Sequence, residues 1–153
     1  MNDYSFKRLD EIHSREIFIL QNKNIKDFGQ NIWKTEELKK SIKQKIFEGN
    51  VFVYNYKING FCFFKRIDDY IEIYSLFVAP VFRQKGIAKF FLECCKEYCK
   101  KNNLKKIILD VNETNHSAIK FYKKNDFFLC GKRKNYYRND TSFHDSFTMY
   151  KLL

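Results

Sequence analysis

Residues 80–90 read PVFRQKGIAKF. Arg83 and Lys85 flank a turn that ends in Gly86, and an apolar-periodic stretch follows at once. A helix beginning there would present unpaired main-chain N–H groups at its first turn. Together with the helix dipole these attract anions, phosphates above all. Gly86 and Ala88 lack bulk, so a ligand could come close to the backbone. The competing reading is an ordinary basic turn before a helix. The cysteines at 62, 94, 95, 99 and 130 offer less. Cys95 and Cys99 share a helical face, but the sequence has no CxxC pair and no histidine adjacent to them. Reduced, buried thiols are expected rather than a metal clip or a disulfide framework. His13, His116 and His144 show neither ligand nor triad spacing.

The elements that would carry these residues follow from periodicity. Residues 10–20 predict a helix with Ile12, Ile17 and Leu20 inward. Residues 34–47 predict a second, with Thr35 as N-cap and Leu38, Ile42 and Ile46 on one face. Trp33 would staple its entry. The period then changes to that of strands. VFVYNY and FCFFKR flank an Asn59-Gly60 turn signal, and YIEIYSLFV ends at Pro80, which cannot donate to a ladder. After Gly86, Ile87, Phe91, Cys95 and Cys99 recur every four residues, with lysines gathered at the C-terminal end. Residues 105–112 read as a buried strand, and residues 115–125 as a short helix capped by Asn115 or Thr114. Residues 127–133 and 145–153 close as two β segments. The order α-α-β-β-β-α-β-α-β-β predicts a mixed, mostly antiparallel α/β sheet with helices on both faces. One parallel crossover spans 70–112.

The length of 153 residues fits one domain, 1–153, with 44% hydrophobic and 18% aromatic residues to build its core. Lys plus Arg is 29 against 18 Asp plus Glu, a net charge of +11. That excess suits polyanionic partners, or it reflects a lysine-rich codon bias. The polar start MNDYSFKRLDEIH is neither a secretion signal nor a membrane span, so a reducing cytoplasm and no membrane partner are expected.

Taken together, the C-terminal half resembles the GCN5-related N-acetyltransferases. RQKGIA, Arg83 to Ala88, matches their Arg/Gln-x-x-Gly-x-Gly/Ala signature. LFVAPVFRQKGIAKFFL resembles their acetyl-CoA loop and helix, and LDVNETNHSAIKFYKKNDF resembles the strand and helix that follow. Within that superfamily the chain is most similar to the bacterial enzymes acetylating the N-terminal alanine of a small-subunit ribosomal protein. FGQNIWKTEEL and KRKNYYRNDTSFHDSFTM carry that resemblance, including Tyr136, Tyr137, Asp145 and Met149.

The resemblance implies acetyl-CoA as cosubstrate. Its contacts would be Leu76, Phe77, Val78, Arg83, Gln84, Lys85, Gly86, Ile87, Ala88, Lys89 and Asn115. It implies Tyr122 as the acid that protonates the departing thiolate. A general base would take the amine proton, since a free α-amino group has a pKa of about 7.7–8.0. Asp110, which stands where the family usually has Glu and is one methylene shorter, is the expected base; Glu72 on the adjacent strand is the contender and Glu113 a third. Trp33, Tyr136 and Tyr137 would bind the acceptor. The acceptor is a protein N-terminus or, alternatively, a small amine such as an amino sugar or polyamine. A third possibility, a nucleic-acid or ribosome-binding module, finds no RNA-recognition motif; the charge would serve docking near a ribosomal particle instead. A monomer is expected.

Overall fold

The computed structural model describes residues 3–138 and 141–153. In chain order the elements are β1 (Tyr4–Arg8), α1 (Ser14–Lys23), α2 (Ile25–Phe28), α3 (Thr35–Lys43), β2 (Glu48–Tyr54), β3 (Lys57–Ile67) and β4 (Tyr70–Val78). They continue with α4 (Ile87–Lys101), β5 (Lys106–Asn112), α5 (His116–Lys124), β6 (Phe128–Arg138) and β7 (Phe143–Leu152). Among the described residues the strands form one sheet in the order β1-β2-β3-β4-β5-β7-β6. Every neighbouring pair is antiparallel except β4 and β5. The expected mixed sheet with one parallel crossover is therefore the observed one.

Helices cover both faces because the inner strands β2, β3 and β4 send apolar residues to each side of the sheet. On one face α1 and α3 bury Ile17, Leu38 and Ile42 against Val51, Phe61, Phe63 and Phe77. On the other, α4 buries Phe91, Leu92, Cys95 and Cys99 against Cys62, Ile71, Ile73, Ile107 and Leu109. Phe91 is fully buried, which contributes about 2–3 kcal/mol by area alone. The sulfurs of Cys62 and Cys95 lie 3.9 Å apart as free thiols within this second core.

Four local expectations are corrected. The N-terminal stretch forms an edge strand, β1, held to β2 by main-chain pairing; its side chains show no clean alternation, which hid it. The β2–β3 hairpin turns at Asn55-Tyr56, where both residues take positive φ, 47° and 62°. Asn59 and Gly60 lie inside β3 instead. Gly60 is needed there because an added Cβ would sit 3.0 Å from the Phe77 carbonyl oxygen on β4. Thr35 is the first residue of α3 and Lys34 its N-cap. Ile12 and Ile46, expected inward, are exposed, because a short 3-10 turn precedes α1 and α3 stops at Lys43.

No helix among the described residues is long and apolar enough to cross a membrane, and none of their His, Cys, Asp and Glu side chains form a group of three that could hold a metal.

Candidate active site

The site begins with a fault in the sheet. β4 and β5 pair in parallel only from Tyr70–Ile73 against Lys106–Leu109. Beyond that, β4 runs on to Val78 and β5 to Asn112 without pairing to each other. A bulge helps to separate them: the β3–β4 register shifts between Phe63 and Phe64, leaving Tyr74 without an opposite number. Ile73 and Leu76, three residues apart, consequently join the same core, which a regular strand forbids. The result is a wedge between the C-terminal ends of two parallel strands, the place where open α/β sheets receive ligands.

At the mouth of the wedge stands the N-terminus of α4. Its N-cap, Gly86, adopts the left-handed region with φ 83°, and no side chain caps the helix. Gln84 is left-handed as well, at φ 58°. The first-turn N–H groups of Ile87, Ala88 and Lys89 therefore depend on solvent or a ligand, and a phosphate is the natural partner. Arg83 takes a different role from the one its charge suggests. Its Nε donates to the Val78 carbonyl at 2.9 Å, its terminal nitrogen lies 3.4 Å from Asp27, and its guanidinium sits over Phe77. It braces the loop to the end of β4 and to α2. Lys85 lies 5.5 Å above the Phe82 ring. Leu76, Phe77 and Val78 form the wall of the wedge on β4. Asn115 caps α5, its Oδ1 accepting from the Ala118 N–H at 3.2 Å, while its amide nitrogen stays uncommitted among the described residues.

Replacing Gly86 by alanine places no atom in contact with a neighbour, yet it forces an L side chain into the left-handed region at about 1–2 kcal/mol. The loop is expected to give way rather than the core. Gly86→Ala should lower affinity for a phosphate-bearing ligand seated on this turn about tenfold in a calorimetric titration, while melting within a few degrees of the parent.

Tyr122 and the carboxylates occupy opposite faces. Tyr122 comes from α5 and is 8% exposed. It lies between Phe121 and Phe127 at ring separations of 5.3 and 5.5 Å. Burial, then the nearby Cys62 thiol, pushes its phenol above the usual tyrosine value, and its hydroxyl makes no hydrogen bond among the described residues. On the far face stand Glu72 and Asp110. They share a side of the sheet, because Glu72 pairs with Ile108 and Asp110 follows two residues on. Desolvation, then the charge of Asp110, raises the Glu72 carboxyl above the ordinary value; Arg133, Lys65 and a bond from Tyr74 oppose this.

Asp110 is already engaged. Thr148 Oγ1 donates to its Oδ1 at 2.6 Å, and Arg133 lies 3.5 Å from its Oδ2. Glu113 is further out of reach, tied to Lys132 at 3.3 Å and to the Asp145 N–H. An aromatic rim borders Asp110. Tyr137 donates from its hydroxyl to the Asp110 carbonyl oxygen at 3.2 Å, and Tyr136 stands edge-on to Tyr137. Trp33 packs against Phe47, Phe63 and Tyr74. Its backbone is clamped by the buried Gln21, which both accepts from and donates to it. Trp33 thus reaches the site through Tyr74, the bulge residue two positions along β4 from Glu72.

Sequence reasoning missed Tyr74, Arg133 and Thr148. Arg133 opens the Arg-x-x-Tyr-Tyr stretch, of which only the tyrosines carry an expected role. Thr148 becomes visible only through the β5–β7 register, which sets it opposite Asp110.

Comparison with known proteins bears on the fold that carries this geometry. A Bacillus subtilis (strain 168) protein provisionally named a ribosomal protein bS18-alanine N-acetyltransferase is 28% identical over 81 residues, 53% of this chain. The match covers 54% of that relative, so the chain spans about half its length in the alignment. The crystal structure of the Escherichia coli ribosomal-protein-S18-alanine N-acetyltransferase superposes with a TM-score of 0.80 at 17% identity, covering 98% of this chain and 94% of the other. A Salmonella typhimurium acetyltransferase-type protein solved with its cofactor acetyl-CoA superposes at 0.79 and 14% identity, over 98% of this chain and 94% of its own. At these identities the structures establish the fold. A profile of the acetyltransferase (GNAT) family matches residues 15–127, the span that contains the wedge, the α4 turn and Tyr122, and the chain belongs to that family.

Proposed function

We propose that the protein transfers an acetyl group from acetyl-CoA to a primary amine, and that the amine is the N-terminal alanine of a small-subunit ribosomal protein. The observation that carries this reading is the wedge itself: an uncapped helix N-terminus at its mouth, a phenol on one face and a carboxylate pair on the other. Acetyl-CoA supplies a thioester whose carbonyl carbon is the electrophile. The amides of Ile87, Ala88 and Lys89 suit its pyrophosphate, and the unpaired edge of β4 around Leu76 to Val78 suits its extended arm.

Glu72 is assigned the base. Its elevated carboxyl pKa brings it nearer to that of an α-amino group, about 7.7–8.0, and better matching makes proton removal more efficient. Asp110 lies on the same face with its oxygens already engaged, which suits holding the ammonium rather than accepting its proton. The N–C bond forms as the C–S bond breaks, and Tyr122 on the opposite face gives its proton to the thiolate. Burial keeps the phenol protonated, so the proton is present when the thiolate departs. Trp33, Tyr74, Tyr136 and Tyr137 form an aromatic rim that suits a peptide start. The relatives' names supply the choice of acceptor.

The test is acetyl transfer to an alanine-initiated peptide of ribosomal sequence, set against amino sugars and polyamines. Transfer to the peptide with kcat/KM at least about tenfold higher is expected. A preference for the small amines would replace the acceptor and keep the chemistry.

A further inference from the structure

Arg133 is placed where an acceptor's positive charge would go. Its guanidinium lies 3.5 Å from Asp110 Oδ2 and 5.3 Å from the centre of the Tyr136 ring. Asp110 is 8% exposed at its side chain and Arg133 is 52% exposed. The other carboxylate oxygen is held by Thr148 at 2.6 Å, through a short side chain fixed by strand pairing. Asp110 therefore has one permanent partner and one removable one. Arg133 also stands at the start of an irregular segment, since the β6–β7 register breaks between Arg133 and Tyr137. A long, half-exposed side chain on such a segment can leave at little cost.

We infer that Arg133 is an internal stand-in for the acceptor's ammonium group: it occupies the outer oxygen of Asp110 beside the Tyr136 ring and yields both to the incoming amine. This rests on the acetyl-transfer reading for the identity of the amine. It makes Arg133 a positioning and specificity residue, because an acceptor must bring a cation to displace another. Neutral and acidic groups entering the rim gain nothing from the exchange. The residues facing the exchange are Glu72 and Tyr74 from β4, Asp110 from β5, Tyr136 and Tyr137 from β6 and Lys65 from β3. Removing the guanidinium leaves the two carboxylates less compensated, so an ammonium is held more strongly and so is a proton.

The full chain is tested in two ways: steady-state acetylation and calorimetric binding of an alanine-initiated peptide, and 13C NMR titration of the side-chain carboxyls without substrate. Arg133→Gln is expected to bind the peptide about three- to fivefold more tightly. It should also move the acid limb of kcat/KM and the Glu72 midpoint upward by about half a pH unit. Arg133→Lys keeps the charge and should stay near the parent in both. A purely structural role would weaken binding and leave the pH profile in place. Unchanged or weaker peptide binding, or an unmoved Glu72 midpoint, in a Gln variant that melts like the parent overturns the assignment. If the parent acetylates no amine at all, the acetyl-transfer reading fails on its own, and the peptide affinities and carboxyl midpoints still decide the role of Arg133.

Discussion

Glu72→Gln is expected to lower kcat by about 10²–10⁴-fold, the range over which positioned general bases act, while leaving acetyl-CoA binding close to the parent. The amide keeps the shape but cannot take a proton. Asp110→Asn should chiefly raise the acceptor KM, since Asp110 is tied to Thr148 and Arg133 rather than free to receive a proton. The pH dependence gives the sign. Burial raises the Glu72 carboxyl above its ordinary value of 4.5, so in the parent kcat/KM must drop as pH falls through that raised value. The same shift makes the charged form a burden on the fold. The stability that protonated Glu72 contributes is complete below 4.5 and is lost as pH rises through the folded-state value. Glu72→Gln should therefore melt no lower than the parent at neutral pH, even as it loses activity. Rates and melting curves for Glu72→Gln and Asp110→Asn across pH 5–9 check all of this. If Asp110→Asn lost the larger share of kcat, the two carboxylates would exchange roles.

Tyr122→Phe carries the second large effect: turnover about 10²-fold lower with acetyl-CoA affinity within a few-fold of the parent. The hydroxyl is the only group removed. It sits on a buried ring with no hydrogen bond among the described residues, so its loss should not destabilise the fold. A fall in kcat without a fall in stability separates a proton donor from a packing residue, because a packing role is kept by Phe. Single-turnover rates with the peptide acceptor, beside thermal melts, make the distinction. A Tyr122→Phe protein working at the parental rate would remove Tyr122 from the chemistry.

Much of the half from β4 to α5 was legible because its signals agree with one another. Ile87, Phe91, Cys95 and Cys99 mark one buried stripe, Pro80 ends β4, and Asn115 caps α5. Residues 4–60 were less legible for identifiable reasons. β1 is held by main-chain bonds to β2 and carries no alternating pattern. Asn59-Gly60 is a strong turn dipeptide, but Gly60 serves a close approach to β4, and Asn55 and Tyr56 absorb the positive φ. The motif marked the α4 turn and named Tyr122 as a candidate. It could not show that Arg83 is spent on the Val78 carbonyl, or that Thr148 and Arg133 engage Asp110. Those facts depend on strand register and on a bulge, which sequence periodicity does not encode.

The central claim is that the uncapped start of α4 and the open edge of β4 together receive the cosubstrate. Amide NMR of the full chain titrated with acetyl-CoA tests it most directly. The account predicts saturable shifts concentrated at Gln84 to Lys89 and Leu76 to Val78, with Gly86→Ala weakening them together. Shifts clustered on another surface, or none at millimolar acetyl-CoA, would contradict it.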